Sequence, residues 1–174
     1  MSLQHKKASE SLTIMTEIVL PNDTNALGNL MGGRLLHWMD ICSAMAASRH
    51  CRRVVVTASV NNVSFDHAIK LGSILTIQAK VSRAFTTSME VYIDVWVEDR
   101  VTGEKEKSNE AIYTFVAVDQ HGCPLPVPEV IPETEEEVGR YGGALRRRQL
   151  ALILAGKMKP DDATELKALF FKDK

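Results

Sequence analysis

Between residues 88 and 98, Met89, Val91, Ile93, Val95 and Val97 alternate with Glu90, Tyr92, Asp94, Trp96 and Glu98. A period of two places the two sets on opposite faces, which predicts a half-buried antiparallel strand. Residues 12–20, 54–65, 75–84 and 106–118 are also rich in β-branched and apolar residues and read as strands. Residues 99–104, containing Gly103, read as a hairpin loop. The stretch 34–47 differs: it lacks Gly and Pro, is rich in Leu, Met and Ala, and is apolar nearly all the way round. This predicts a buried helix. Pro21, Asn22 and Asp23 break the chain ahead of it. The order is strand, helix, four strands. Short links between the last strands imply a meander, so the simplest arrangement is one long antiparallel sheet wrapped on one helix.

Residues 124–132 are Pro-rich and extended. Thr134-Glu135-Glu136-Glu137 then opens a C-terminal helical region, acidic early and basic later at Arg146-Arg147-Arg148, as the helix macrodipole favours. Gly139, Gly142 and Gly143 weaken that helix, and an amphipathic helix and a disordered tail are both open readings of the last 30 residues. Three regions result: an N-terminal extension 1–11, a domain 12–132 and a C-terminal extension 133–174.

Composition narrows the function. Lys and Arg number 21 against 22 Asp and Glu, a net charge of -1. Nucleic acid and acidic membrane surfaces are poor partners for so neutral a chain. Aromatics at 6% argue against base stacking. No apolar run approaches the ~20 residues that span a bilayer, and no secretory signal is readable. Cys42, Cys51 and Cys123 are odd in number and scattered, so a reducing cytoplasm is expected. Cys42, His50 and Cys51 lack a closed four-ligand spacing, and no metal is expected.

Three features suggest chemistry. Asp40 sits between Met39 and Ile41 in the most apolar helix, where an unpartnered carboxylate costs several kcal/mol. The bland reading puts it on a solvated stripe with His37 and Arg34. Gly32 and Gly33 lie at the helix entrance, where unpaired amides and a partial positive charge suit an oxyanion; plain turn geometry explains them too. Asn25, in the preceding loop, is a candidate to orient water or a carbonyl, or simply a turn residue. Eight residues separate Gly32 from Asp40, about 12 Å along a helix. One carbonyl cannot touch both within one chain. If both act on it, two antiparallel helices of a dimer must share the site.

The run from Pro21 to Asp40, PNDTNALGNLMGGRLLHWMD, resembles the signature of the hotdog-fold acyl-CoA thioesterases, in particular the cytosolic acyl-CoA hydrolases. TASVNNVSF from Thr57 to Phe65, with Ile69 and Gly72, and Thr87-Ser88-Met89-Glu90-Val91 agree with it. The resemblance covers roughly residues 12–118. It implies an α+β hotdog fold, a curved antiparallel sheet around one long central helix, paired into dimers that assemble as hexamers. It implies that Asp40 is the catalytic carboxylate, as general base or nucleophile, that Asn25 comes from the partner chain, and that Gly32 or Gly33 donates the oxyanion contact. Departures exist. Phe85-Thr86 stands where Gly-Arg or Gly-Lys often precedes Thr-Ser, and Arg83 offers a charge nearby. Phosphates of coenzyme A favour Arg with backbone and hydroxyl donors. Arg83, Thr87, Ser88, Arg146 and Arg147 are the candidates. No separate cofactor is expected, because coenzyme A is part of substrate and product. A hotdog hydratase or dehydratase, a non-catalytic acyl-CoA-binding regulator and a structural oligomerisation domain are the alternatives.

Overall fold

A computed structural model of the chain describes residues 5–61, 63–65 and 67–170. Residues 1–4 of the N-terminal extension, Asn62 of the second signature block and residues 171–174 lie outside the described residues. The chain forms two compact units, Met1–Ile131 and Pro132–Lys174.

In the first unit, helix α1 (Gly32–Cys51) lies against a five-stranded sheet of β2 (Thr13–Ile18), β3 (Val54–Asn61), β4 (Ile74–Ala84), β5 (Ser88–Glu98) and β6 (Lys105–Val118). The spatial order is β2-β4-β5-β6-β3, and every neighbouring pair is antiparallel. β4, β5 and β6 form the expected meander. The alternation in β5 is realised: Met89, Val91, Ile93 and Val95 are fully buried, opposite Ala84, Val81, Ala79 and Ile77 of β4. Burial of each of the larger side chains is worth about 1.5–3 kcal/mol. Register shifts at Thr57/Ser59, Val81/Arg83 and Val95/Trp96 bend the strands, and the helix touches all five. This is the hotdog arrangement. In the hairpin loop between β5 and β6, Asp99 Oδ1 accepts from the Val101 and Thr102 amides, and Gly103 takes φ +73°.

Two sequence expectations need correction. α1 is not buried all round. Leu35, Trp38, Met39, Cys42, Ala46 and Ala47 face the sheet, while Ile41 (39%) and Met45 (37%) stay exposed, because a single sheet covers one side of a helix. The third segment stops pairing at Asn61. Beyond it the Ser64 carbonyl accepts from the Asn109 side-chain amide at 2.5 Å instead of joining a ladder. β3 is an edge strand, with Val54 (66%), Val56 (46%) and Val60 (44%) exposed.

A two-stranded parallel ribbon, β1 (Lys6–Lys7) with β7 (Val130–Ile131), completes the unit. Its approach to α1 is held by His50, which is fully buried and donates Nε2–H to the Pro128 carbonyl at 2.8 Å; Nδ1 has no partner among the described residues. Burial holds the His50 pKa below its usual 6.5. The Pro128 carbonyl and Glu10 oppose that shift and Lys6 adds to it. The folded state therefore resists a proton that the unfolded chain accepts. Stability should be fully present above pH about 6.5 and fall as pH drops below it. Urea unfolding between pH 8 and 5 checks this: His50→Gln should show a flatter pH dependence than the wild type, and parallel curves would refute it.

In the second unit, Thr134 caps α2 (Glu135–Leu154). Its Oγ1 accepts from the Glu137 amide, and the Glu137 carboxylate accepts from the Thr134 and Glu133 amides. That capping box starts a 20-residue helix that runs through its three glycines. Gln149 Oε1 accepts from the Leu166 amide and ties α2 to the short α3 (Thr164–Lys167).

Candidate active site

The loop before α1 is a built turn. Asn25 Oδ1 accepts from the Leu27 and Asn29 amides at 2.9 and 3.2 Å, and Gly28 takes φ +73°. Buried Asp23, which the sequence reading did not single out, accepts from the Leu20 amide and pairs with Arg34 Nε at 2.8 Å. It clamps the loop to the first turn of the helix. Arg34 therefore serves the entrance and not a solvated stripe with Asp40.

Met31, the N-cap residue of α1, makes no side-chain capping bond. The first bonded amides of the helix are those of Arg34 and Leu35, both to the Met31 carbonyl. The two glycines ahead of them differ. A Cβ on Gly32 would lie 3.2 Å from the Phe65 ring, whereas Gly33 faces open space. A cavity of about 370 Å³ brings Asn25 and Gly32 together, with Leu30, Leu35, Phe65 and Ile69 among its walls. Asp40 is not part of it.

Asp40 is half-buried in the middle of α1. Thr57 Oγ1 on β3 donates to its Oδ1 at 2.9 Å. Tyr113 on β6 donates its hydroxyl to the Leu36 carbonyl, one turn before Asp40. Burial, with the Asp40 carboxylate adding to it, pushes the Tyr113 phenol up to about 12. That phenol stays protonated and keeps donating. Thr57 is a site residue that sequence reasoning missed: it was legible only as part of a motif, since its partner lies on another element.

Of the expected phosphate ligands, Arg83, Thr87 and Ser88 flank the turn between β4 and β5. The Arg83 guanidinium lies over the Phe85 ring at 5.7 Å, and the Thr87 carbonyl accepts from the Ala117 amide. Ser88 is buried. Arg146 and Arg147 belong to the second unit, where Arg147 donates to the Arg140 carbonyl of its own helix. Among the described residues no group of three or more His, Cys, Asp or Glu could hold a metal ion. No helix there is long and apolar enough to cross a membrane. Cys42 is buried and its thiol pushed up to about 11, so it supplies no thiolate nucleophile.

The thioesterase superfamily model matches residues 27–104. The chain is 41% identical over 138 residues to the uncharacterized acyl-CoA thioester hydrolase YkhA of Bacillus subtilis, covering 79% of this chain and 80% of that protein. It belongs to the hotdog acyl-CoA thioesterases. A hexameric acyl-CoA thioesterase shares the thioesterase fold at a TM-score of 0.85 and 40% identity, over 88% of this chain and 98% of that one. The acyl-CoA hydrolase of Staphylococcus aureus, solved with butyryl-coenzyme A, coenzyme A and coenzyme A disulfide, superposes at a TM-score of 0.82 and 36% identity, over 88% and 95% of the two chains. Variants of that thioesterase carry alanine in place of a single Asn, Asp or Thr.

Proposed function

We propose that the chain hydrolyses acyl-CoA to a free carboxylic acid and coenzyme A at sites shared between two chains. Asp40 is the carboxylate that acts on water or on the thioester carbonyl. Thr57 holds it in place, and the opposing chain supplies both the helix N-terminus at Gly32 and Gly33, which receives the developing oxyanion, and Asn25, which orients the carbonyl or the water. The observation that carries this reading is the Thr57–Asp40 hydrogen bond. It makes an acid of the central helix a positioned group. In support, the three residues replaced in the Staphylococcus aureus enzyme follow each other with the same spacing as Asn25, Asp40 and Thr57.

The chemistry asks little else of the protein. A thiol of pKa near 8.5 leaves as its anion, so no dedicated acid is required. An ionised carboxylate and preorganised amides supply base catalysis and charge stabilisation. Coenzyme A arrives and departs within substrate and product, and on the first unit Arg83, Thr87 and Ser88 are the groups offered to its phosphates. The exposed Ile41 and Met45 of α1 and the bare edge strand β3 are the surface offered to a second chain. Hexamer formation as a trimer of such dimers follows the hexameric relative. Three free cysteines suit a cytoplasmic setting.

Thiol release from a panel of acyl-CoAs tests the reading, and a folded chain with no turnover on any of them overturns it. Thr57→Val, which removes the hydroxyl and keeps the shape, should lower kcat about tenfold or more with the fold intact. An unchanged kcat would remove Thr57 from the site.

A further inference from the structure

We propose that Phe65 is the wall that sets the length of acyl group the thioester site accepts, with Asn109 as the residue that positions it. The proposal rests on the acyl-CoA hydrolase reading above and names the part of the substrate that one cavity holds.

The ring of Phe65 lies on the helix entrance. Its Cζ and Cε1 come within 3.2 and 3.3 Å of where a Gly32 Cβ would stand, so glycine at 32 is what lets the ring approach. The ring is nevertheless half exposed, at 53%, because its other side faces the cavity mouth and solvent. Its placement is dictated from β6. The register shift at Val95/Trp96 bulges β6 around Ser108, and the next residue, Asn109, is 4% exposed. Asn109 donates Nδ2–H to the Ser64 carbonyl at 2.5 Å and accepts from Ser108 Oγ at 2.7 Å. A buried amide bonded at both ends fixes the backbone next to Phe65, and so fixes the ring.

The cavity this ring bounds holds about 370 Å³, at the small end of ligand sites. Leu30, Leu35, Ala68 and Ile69 form its apolar walls beside the polar Asn25, Asn29, His67 and Asn109, and among the described residues no Lys, Arg, Asp or Glu lines it. The Asn109 amide is occupied by Ser64 and Ser108, and the Asn25 carbonyl oxygen by two backbone amides. A hydrocarbon chain needs only area and room. With Gly32 of the helix entrance and Phe65 both in its lining, the cavity suits a short acyl group extending from the thioester carbonyl.

The test is kcat/KM on straight-chain acyl-CoAs from acetyl to dodecanoyl, for the wild type and for Phe65→Ala, Phe65→Leu and Phe65→Trp. Phe65→Ala should move the preferred chain length up by about two carbons or more and raise the ratio of long-chain to short-chain kcat/KM at least about tenfold; Phe65→Trp should move it down. Asn109→Ser, which releases the Ser64 carbonyl, should shift preference in the same direction as Phe65→Ala. An active wild type whose optimum stays fixed through all four variants overturns this proposal alone. A uniform rise in KM at every chain length, with weaker inhibition by free coenzyme A, places Phe65 against the pantetheine arm and overturns it too. A wild type inactive on every acyl-CoA overturns the parent reading and this one with it.

Discussion

Asp40→Asn should lower kcat for acyl-CoA hydrolysis by about 10²–10⁴-fold, the range over which a positioned general base contributes. The substitution isolates charge from shape. Asparagine is close to isosteric, and its amide oxygen can still accept the Thr57 hydroxyl now received by Asp40 Oδ1 at 2.9 Å. The Tyr113–Leu36 bond beneath the same turn is untouched. Folding should therefore be spared, and a thermal melt alongside the kinetics shows whether it is. KM should change little, because the lost interaction belongs to the transition state. The loss is expected whether Asp40 acts on water or on the carbonyl, since both roles need the ionised oxygen. Thiol release measured at saturating substrate settles the matter: full turnover by Asp40→Asn would remove this carboxylate from the mechanism.

Mixing two inactive proteins should restore activity. Asn25→Ala and Asp40→Asn each break every site of their own homodimers if the two residues meet across a two-fold axis. After dissociation and reassembly, half of the dimers are mixed, and each mixed dimer has one intact site and one doubly broken site. Activity should return to about a quarter of wild type. Within one chain this pairing is out of reach: Asn25 and Gly32 share a cavity that Asp40 does not enter, and α1 is an unbroken helix of 20 residues from Gly32 to Cys51. If the mixture stays as inactive as its parents while mixed dimers are demonstrably present, each site lies within one chain.

Much of the fold was legible because it is local. The alternation from Met89 to Val97 reports a strand that needs no knowledge of its partners, and the observed strand, Ser88–Glu98, has the expected bounds. Thr134 followed by Glu137 announces a helix start in the same way, through bonds that span three residues. The helix was legible in its central stretch, 34–47, but not in its run on to Cys51 or in its burial. Its apolar residues nearly encircle it, yet the pattern does not say which of them meet the sheet and which, like Ile41 and Met45, stay bare in a single chain.

The candidate site divides along the same line. Asp40, Asn25 and the two glycines stood out because each breaks its local pattern: an acid among apolar residues, an Asn and a glycine pair where a loop becomes a helix. Thr57 and Asn109 break no pattern. A Thr on a strand and an Asn near a strand end are ordinary in sequence. They matter because strand register sets Thr57 against Asp40, 17 residues away, and a bulge sets Asn109 against Ser64, 45 residues away. Phe65 likewise reads as one more apolar residue until the chain lays its ring on Gly32. By itself the sequence determined which residues are out of place, since hydrophobic period and turn chemistry act over a few positions. Only the tertiary structure decided which of them meet, since register, bulges and edge position arise from contacts between segments far apart in the chain.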